Sequence, residues 1–443
     1  MALGVPEAPG LMPAGRARTG MSHRMGLGCL ARPHCTLLHV CVHFIPSVPT
    51  DEHALNSTSD AALDERSAPR LAGARRATRL IFLVSGIGMS AWAPMVPYAK
   101  ARLGLDDAQL GLALLAFGGG SMLSMPFVGW LAHKLGNRTL IVASGLLMCV
   151  ALPALAMVPD ITGLVAVLLY FGVMLGAVDV AMNAHAVEVE RLDGGTLMSG
   201  FHGLFSVGGL TGAAVTSALL AIGAPLTLAA AVIAVLLMVV VLWLRSDLLD
   251  DAPTADAPRK EPLRMPHALA WLLGLLCFVS FLAEGAMLDW SAVFLRDFRG
   301  VSEATAGFGY AFFSAAMVLG RLTGDRFVGR YGPETAMRIG ALLAAAGFLM
   351  VACVSGAAMS LAGFVLIGLG ASNIVPVMFS AAGRLPNTPP AIAIATVTSL
   401  GYVGLLSGPA LIGLVAHASN LAMAFAGVAG LLVLVAFSAR IVK

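Results

Sequence analysis

Twelve long apolar runs follow one another from Arg79 to the end of the chain. Each is close to the roughly 20 residues that an α-helix needs to cross a hydrocarbon core about 30 Å thick. The runs occupy residues 79–99, 107–132, 139–158, 161–187, 197–222, 225–244, 268–294, 304–325, 336–355, 357–381, 391–416 and 420–440. A transmembrane β-barrel would show short segments of alternating polarity instead. The sequence therefore predicts an all-α polytopic membrane protein with twelve transmembrane helices.

The charged residues are too few for a water-soluble surface. They make up 12% of the 443 residues, and hydrophobic residues make up 58%, whereas a soluble protein has roughly 25% charged residues. Many of the charges fall in residues 1–79 and 245–264, which leaves very few for the apolar runs. This composition excludes a soluble enzyme, a nucleic-acid-binding protein and a disordered chain. The net charge of +3 is too small to indicate a polyanionic partner.

The N-terminal residues 1–77 differ from the rest of the chain. They are rich in Pro, Gly, Ser, Arg and His and have no sustained apolar period, which predicts a disordered tail or a start site placed too early. The segment from Cys29 to His43 contains three cysteines and three histidines, but it lacks the paired Cys-x-x-Cys spacing of zinc sites. We therefore expect no metal site and no cofactor.

The twelve runs divide into two halves that repeat each other. A polar, Pro-rich stretch at 246–267 predicts a flexible cytoplasmic linker between a six-helix bundle at 78–245 and a second bundle at 268–443. A shift of 196 residues superimposes glycines of the second run on the eighth and of the fifth run on the eleventh. The pairs are Gly104 with Gly300, Gly111 with Gly307, Gly208 with Gly404 and Gly212 with Gly408. An internal repeat of six helices in like orientation is typical of one architecture of secondary transporters.

Lysine and arginine residues predict how the chain is oriented. Seventeen of them fall in connections and ends on the side of both termini, against four on the opposite side. Because short positively charged segments stay in the cytoplasm, both termini are predicted to be cytoplasmic. The high content of Ala, Gly and Arg is typical of a GC-rich bacterial genome, so the expected location is the bacterial inner membrane.

Two related segments carry a resemblance to a known family. They are Gly320–Gly332, with the sequence GRLTGDRFVGRYG, and Gly129–Arg138, with the sequence GWLAHKLGNR. Together with the twelve runs and the repeat, they resemble the glycine, acidic and basic signature of the major facilitator superfamily, although His133 stands where that family usually has an aspartate. The resemblance covers residues 79–443. It implies alternating access, in which two halves rock about a site near the middle of the bilayer.

The same two segments predict a gate on the cytoplasmic side. An acid beside arginines and a helix end can hold the inward mouth closed through hydrogen bonds that break on opening. The predicted gate comprises Gly129, Lys134, Gly136, Arg138, Asp325, Arg326 and Arg330. The alternative is that its basic residues only orient the chain. Arg321, one turn before Asp325, is expected to extend to the cytoplasmic surface.

Three acidic residues lie deep in the apolar runs: Asp179, Glu284 and Asp289. A charged side chain in the middle of a membrane costs about 2.5–3.5 kcal/mol on insertion scales, so such residues usually face a cavity. Burial of a carboxyl group favours its neutral form, which makes reversible protonation available as a coupling step. Glu284 and Asp289 are five residues apart, about 140° around an ideal helix. They can meet only if the helix unwinds near Gly285; otherwise Asp289 is a boundary residue.

Four polar or aromatic residues complete the candidate site. Asn183 lies one turn after Asp179 and on the same helical face, where it either binds a hydroxyl-bearing ligand or forms a structural hydrogen bond to a neighbouring helix. His202 could bind a ligand or carry a proton, or it could be a core histidine. Asn373 occupies the repeat position of Asp179, and the nearby Pro376 can break the helix. Trp92 could stack on a sugar ring or anchor the chain at the membrane interface.

These features predict a secondary active transporter rather than an enzyme. The chain lacks the nucleotide-binding loop, the His-Glu-x-x-His motif and the Gly-x-Ser-x-Gly motif. We expect proton-coupled symport of a small polar solute, preferably a sugar-like one, by a monomer embedded in lipid, because the polar residues resemble the fucose-permease-like, proton-coupled branch of the superfamily. The alternatives are a drug or metabolite efflux antiporter and a non-transporting membrane sensor. The antiporter is less favoured, because the motif Gly208-x-x-x-Gly212 lacks the proline that antiporters often carry after it.

Overall fold

The computed structural model describes residues 52–250, 268–301, 308–386 and 388–443, and residues 58–443 form one compact unit. Fourteen α-helices lie in the described part of the chain. They are α1 Glu52–Ala91, α2 Val96–Leu103, α3 Asp107–Leu135, α4 Asn137–Met157, α5 Ile161–Asp193, α6 Met198–Ala221, α7 Leu226–Leu244, α8 Ala268–Arg299, α9 Phe308–Tyr331, α10 Pro333–Cys353, α11 Ala357–Ala371, α12 Ile374–Ala382, α13 Pro390–Ala418 and α14 Leu421–Phe437. We refer to α1–α7 as the first half and to α8–α14 as the second half.

The helices account for the twelve predicted spans and confirm the predicted all-α fold. The pairs α1/α2 and α11/α12 each make one span, and every other helix makes one. Eleven of the spans are long and apolar enough to cross a membrane by length and composition alone. The remaining helix, α9, carries Arg321, Asp325, Arg326 and Arg330, and these four charges lower its mean hydropathy.

Prolines break the first and tenth spans. Between α1 and α2 the chain forms a 3₁₀ turn at Ala93–Met95, which contains Pro94 and is followed by Pro97. Between α11 and α12 the helix is interrupted at Ser372 and Asn373. A proline has no N–H to donate to the carbonyl four residues earlier. Pro376 therefore leaves the carbonyl of Ser372 without its helical partner.

Matching turns show the internal repeat in three dimensions. Gly104 and Gly300 both have a φ of 64°, and Gly136 and Gly332 both have a φ of 81°, values that favour glycine because it lacks a Cβ. The two turns of each pair are 196 residues apart. The structure thus assigns equivalent positions in the two halves, including Gly129 in α3 and Asp325 in α9.

An arginine precedes each turn of the first pair, Gly104 and Gly300, and binds the end of a neighbouring helix. Arg102 donates from Nη2 to the carbonyl of Leu155 at 3.2 Å, and Arg299 donates from Nη2 to the carbonyls of Val351 and Val354 at 2.7 and 2.9 Å. A cation near a helix C-terminus is stabilising because the last carbonyls lack helical partners. These contacts fix the ends of α4 and α10 on the side predicted to be external.

The sequence predicts two segments without regular structure, the tail at 1–77 and the linker at 246–267. The described part of each is ordered. Helix α1 begins at Glu52, so the predicted tail at 1–77 is helical from that residue, since its Ala, Leu and Arg residues favour a helix. Residues 1–51, which include the Cys29–His43 segment, lie outside the described residues.

The start of the predicted linker is held against the first half. Asp247 pairs with Arg76, and the N–H of Leu249 donates to Nε2 of His185 at 3.0 Å. Residues 251–267 of the predicted flexible linker lie outside the described residues, so its flexibility stays a prediction.

Candidate functional site

Asp179 and Asn183 form a polar pair near the middle of α5. The amide of Asn183 donates to the carbonyl oxygen of Asp179 at 2.9 Å and to its Oδ1 at 3.3 Å. Asn183 is fully buried, and the two residues lie on one helical face, as their spacing indicates. The amide therefore orients the carboxylate of Asp179 within the bundle.

His202 continues this pair toward the second half. Its Nε2 lies 3.1 Å from Oδ1 of Asn183. Its ring packs between Phe82 and Phe379, with centroid distances of 5.3 and 5.5 Å. Phe379 belongs to α12, so His202 lies where the first and second halves meet.

A second polar group joins Glu284 to Arg321 across α8 and α9. Nη2 of Arg321 lies 3.3 and 3.4 Å from the two carboxylate oxygens of Glu284. The side chains are only 10% and 15% exposed. The expectation that Arg321 reaches the cytoplasmic surface is therefore wrong. A cation enclosed by helices is stabilised by a buried acid and by hydrogen-bond acceptors, and this environment keeps Arg321 inside the bundle.

Arg321 also links the second half to the first. Its Nη1 donates to Oγ of Ser206 in α6 at 3.0 Å, and Ser206 donates to the carbonyl of His202 at 3.1 Å. Polar contacts therefore run from Asp179 through α6 to Glu284, with one step through the main chain. We call this series the central polar chain.

The broken tenth span supplies another partner for Arg321. Nε of Arg321 lies 3.4 Å from the carbonyl oxygen of Ser372, the carbonyl that Pro376 leaves without a helical bond. Sequence reasoning identified the break but missed its partner. The sequence feature that could have predicted this contact is an arginine well inside an apolar run, in the same half as a span broken by a proline.

Asp289 lies apart from the Glu284–Arg321 pair. Helix α8 is continuous through Gly285, so the unwinding that would bring Asp289 and Glu284 together is not observed. Asp289 is exposed, and α8 continues beyond it to Arg299. Tyr310 in α9 lies within electrostatic range of Asp289, Glu284 and Arg321.

Asn373 and Trp92 both lie at breaks in their spans. The amide of Asn373 donates to the carbonyl of Gly320 at 3.1 Å and to Oγ of Ser372 at 2.9 Å, which ties α12 to α9. Its Oδ1 is buried without a hydrogen-bond partner in the described part of the chain. Trp92 is 6% exposed, and its indole N–H likewise has no partner among the described residues. Its burial argues against an interfacial anchor.

Asp325 connects α9 to the start of α6 on the predicted cytoplasmic side. Its Oδ2 accepts a hydrogen bond from the N–H of Gly200 at 2.9 Å, and its carbonyl accepts one from Oγ1 of Thr196 at 2.6 Å. Glu190 accepts from the N–H groups of Leu197 and Met198 at 2.8 and 2.9 Å. The first N–H groups of a helix have no helical partners. Here an acid from each half satisfies them.

The equivalent position in the first half makes an apolar contact. A Cβ on Gly129 would lie 2.7 Å from Cβ of Ala395 and 3.1 Å from the carbonyl oxygen of Ala391, so α3 packs closely on the start of α13. The repeat matches Gly129 with Asp325 and Ala395 with Ser199. We call these two contact lines between the halves seams, one between α6 and α9 and the other between α3 and α13. Hydrogen bonds close the first seam, and close packing closes the second.

The other predicted gate residues have contacts within their own half. Nζ of Lys134 lies 3.9 Å from the centroid of the Trp130 ring, and Arg138 pairs with Asp250 at 3.2 Å. Arg330 lies over the ring of Tyr331 at 5.5 Å. Gly136 forms the turn between α3 and α4, and Arg326 is exposed.

A cross-half contact that the sequence analysis missed joins Glu190 and Arg384, whose atoms lie 3.9 Å apart. Glu190 is 8% exposed. The sequence feature that points to this contact is an acidic residue near the end of an apolar run, with the next span beginning after one short connection.

Known proteins share this fold over most of the chain. The model of the Major Facilitator Superfamily matches residues 80–390. An uncharacterized MFS-type transporter of Yersinia pestis is 48% identical over 367 residues, which cover 82% of this chain and 94% of that protein. The fucose:proton symporter FucP of Escherichia coli, in its outward conformation, has a TM-score of 0.71 at 17% identity and covers 83% of this chain and 98% of its own. The human organic anion transporter MFSD10 has a TM-score of 0.66 at 17% identity, with coverage of 84% and 99%.

Proposed function

Because the chain belongs to the major facilitator superfamily of membrane transporters, we propose that it moves a small polar solute together with protons by alternating access. The observation that carries this proposal is the central polar chain, which joins Asp179 in the first half to Glu284 in the second. Polar groups inside a membrane are costly and usually mark a pathway for a solute or a proton. The fold shared with FucP supports coupling to protons.

The central polar chain gives protonation a mechanical consequence. Rocking of the halves must break the contact between Ser206 and Arg321, because its two partners belong to different halves. Protonation of Glu284 or Asp179 removes a negative charge from the buried site and so lowers the cost of reorienting the carrier. Asn183 and His202 position the Asp179 end of the chain. Asp289, Asn373 and Trp92 are proposed as outer or flanking contacts of the same site.

The seam at α6 and α9 is proposed to close the inward mouth. Hydrogen bonds to Asp325 and the approach of Arg384 to Glu190 join the halves on the predicted cytoplasmic side. These contacts would break when that side opens, whereas Lys134, Arg138, Arg326 and Arg330 keep the surrounding surface basic. With the termini in the cytoplasm of a bacterial cell, the closed seam shuts the inward side of the carrier. A single chain supplies both halves, so the proposed unit of transport is the monomer.

Proton-coupled flux tests this function directly. Purified protein is reconstituted into liposomes with an internal pH dye, and sugars, amino acids and organic acids are added singly to the outside. We expect one solute class to acidify the interior and to accumulate when an inward proton gradient is imposed. Movement of protons opposite to the solute would favour an antiporter instead. A solute that binds but never enters the liposomes would favour a sensor.

A further inference from the structure

Arg321 is a buried cation whose acceptors come from several helices. Glu284 lies on α8, Ser206 on α6 and the freed carbonyl of Ser372 on the broken tenth span. The distances to these acceptors are 3.0 to 3.4 Å, longer than the 2.7–2.9 Å or so of a tight charge-assisted pair. The guanidinium is therefore surrounded without being locked into one short bidentate pair, and it can exchange an acceptor.

Proton uptake at Glu284 would remove the negative charge that compensates Arg321. A buried charge without its partner is costly, and the hydroxyl groups of a neutral solute supply only dipoles. A carboxylate supplies a full negative charge in a planar geometry that a guanidinium matches. Proton binding at Glu284 and anion binding at Arg321 therefore favour each other. The proton frees Arg321 to pair with the anion, and the anion supplies the negative charge that Glu284 loses when it is protonated.

Among the residues that the structure describes, Glu284 is the acid paired with Arg321. Cys277 on α8 and Tyr310 on α9 lie within electrostatic range of Glu284. Asp179 is held by Asn183 in the first half, and His202 lies within range of Arg321. Arg321 remains the group with the charge and the donor geometry to take an anionic solute.

We propose that the transported solute carries a carboxylate, as in a hydroxy acid or sugar acid, and that Arg321 binds this carboxylate while Glu284 takes up the coupled proton. This assignment rests on the proposed transport function and specifies its substrate class. One anion and one proton enter together, and both end on the pair formed by Arg321 and Glu284. The loaded and empty sites thus carry the same net charge, which removes an electrostatic obstacle to movement of the loaded carrier.

Thermal unfolding of purified full-length protein tests the assignment with simple carboxylates. The probes are acetate, lactate, D-gluconate and D-glucuronate, with D-sorbitol and D-glucose as neutral partners of the two sugar acids. In Glu284→Gln the glutamine leaves Arg321 without its counter-charge. We expect a carboxylate to stabilise this variant and to bind at least about tenfold more weakly to the double variant Glu284→Gln/Arg321→Gln. Glu188→Gln/Arg191→Gln, which removes an exposed ion pair of α5, is the matched control and should respond like the wild type.

The pH dependence of the wild type gives an independent measurement if the variants do not purify as monodisperse protein. One proton bound with each anion strengthens the apparent affinity by up to about tenfold for each unit of lower pH. The assignment is overturned if no carboxylate stabilises Glu284→Gln beyond the double variant, or if sorbitol or glucose do so equally well. It is also overturned if the wild type shows no such pH dependence. Proton-driven uptake of a neutral sugar by the wild type would reject this substrate class while supporting the proposed transport function.

Discussion

The carboxylate of Asp325 in α9 accepts a hydrogen bond from the backbone N–H of Gly200, the third residue of α6, at 2.9 Å. The two residues belong to different halves, so this contact closes a seam between them. The equivalent seam, where Gly129 meets Ala395, has no such acid and relies on close packing. Opening of the predicted cytoplasmic side must therefore break hydrogen bonds at one seam and separate apolar surfaces at the other.

The buried acids are predicted to be needed for coupling rather than for solute binding alone. Glu284→Gln and Asp179→Asn keep the size and polarity of each side chain but prevent its ionisation. We expect either variant to lower proton-driven uptake into liposomes by at least about tenfold, because the substituted residue can no longer take up the coupled proton. Exchange of labelled solute without a proton gradient should persist. Glu188→Gln is the control, and full proton-driven uptake by both test variants would contradict the coupling role.

The close packing at Gly129 predicts a position-specific effect of a methyl group. Gly129→Ala places Cβ 2.7 Å from Cβ of Ala395, so α3 and α13 must move apart. Overpacking of this kind costs about 1–3 kcal/mol. The unfolding temperature in detergent should fall, and the predicted cytoplasmic side should open more readily. Gly427→Ala in α14 has no atom within 4 Å of its new Cβ. An equal change in both variants would show that this seam is not closely packed.

The contacts of Arg299 predict a structural role on the side opposite the gate. Its Nε donates to Oγ of Ser360 at 3.0 Å, in addition to its bonds to two helix-end carbonyls. Arg299→Gln should lower the free energy of unfolding by about 1.5–3 kcal/mol, because hydrogen bonds from a charged group are lost. Arg191→Gln removes an exposed pair within one helix and should cost no more than about 0.5 kcal/mol. Chemical denaturation measures the free energy of unfolding of both variants. Equal decreases in the two variants would argue against a stabilising role for the contacts of Arg299 with the helix end.

The architecture could be predicted from the sequence because apolar run length and repeated glycines depend on local chemistry. A helix must satisfy its own backbone groups in lipid, so twelve runs specify twelve spans. The turns at Gly104 and Gly300 follow from the need for a positive φ. Asp179 and Asn183 could likewise be placed on one face, since four residues make about one helical turn.

The partners within the site could not be predicted because they depend on packing between distant helices. Arg321 lies well inside the bundle because the break before Pro376 exposes a carbonyl and α8 supplies Glu284. No local pattern relates residues 284, 321 and 372. The contact of Asp325 with Gly200 is likewise set by how the second half packs against the first.

A distance measured across the gate tests alternating access most directly. Spin labels are attached at residues 191 and 330, which are exposed on the predicted cytoplasmic side of the two halves, in a protein whose native cysteines have been replaced. Asp325→Ala removes the acceptor for the N–H of Gly200. A lost bond of about 1–3 kcal/mol shifts a two-state population roughly 5- to 150-fold. We predict a single short distance for the parent protein and a substantial population at a longer distance for Asp325→Ala. Identical distance distributions for the two proteins would contradict the account.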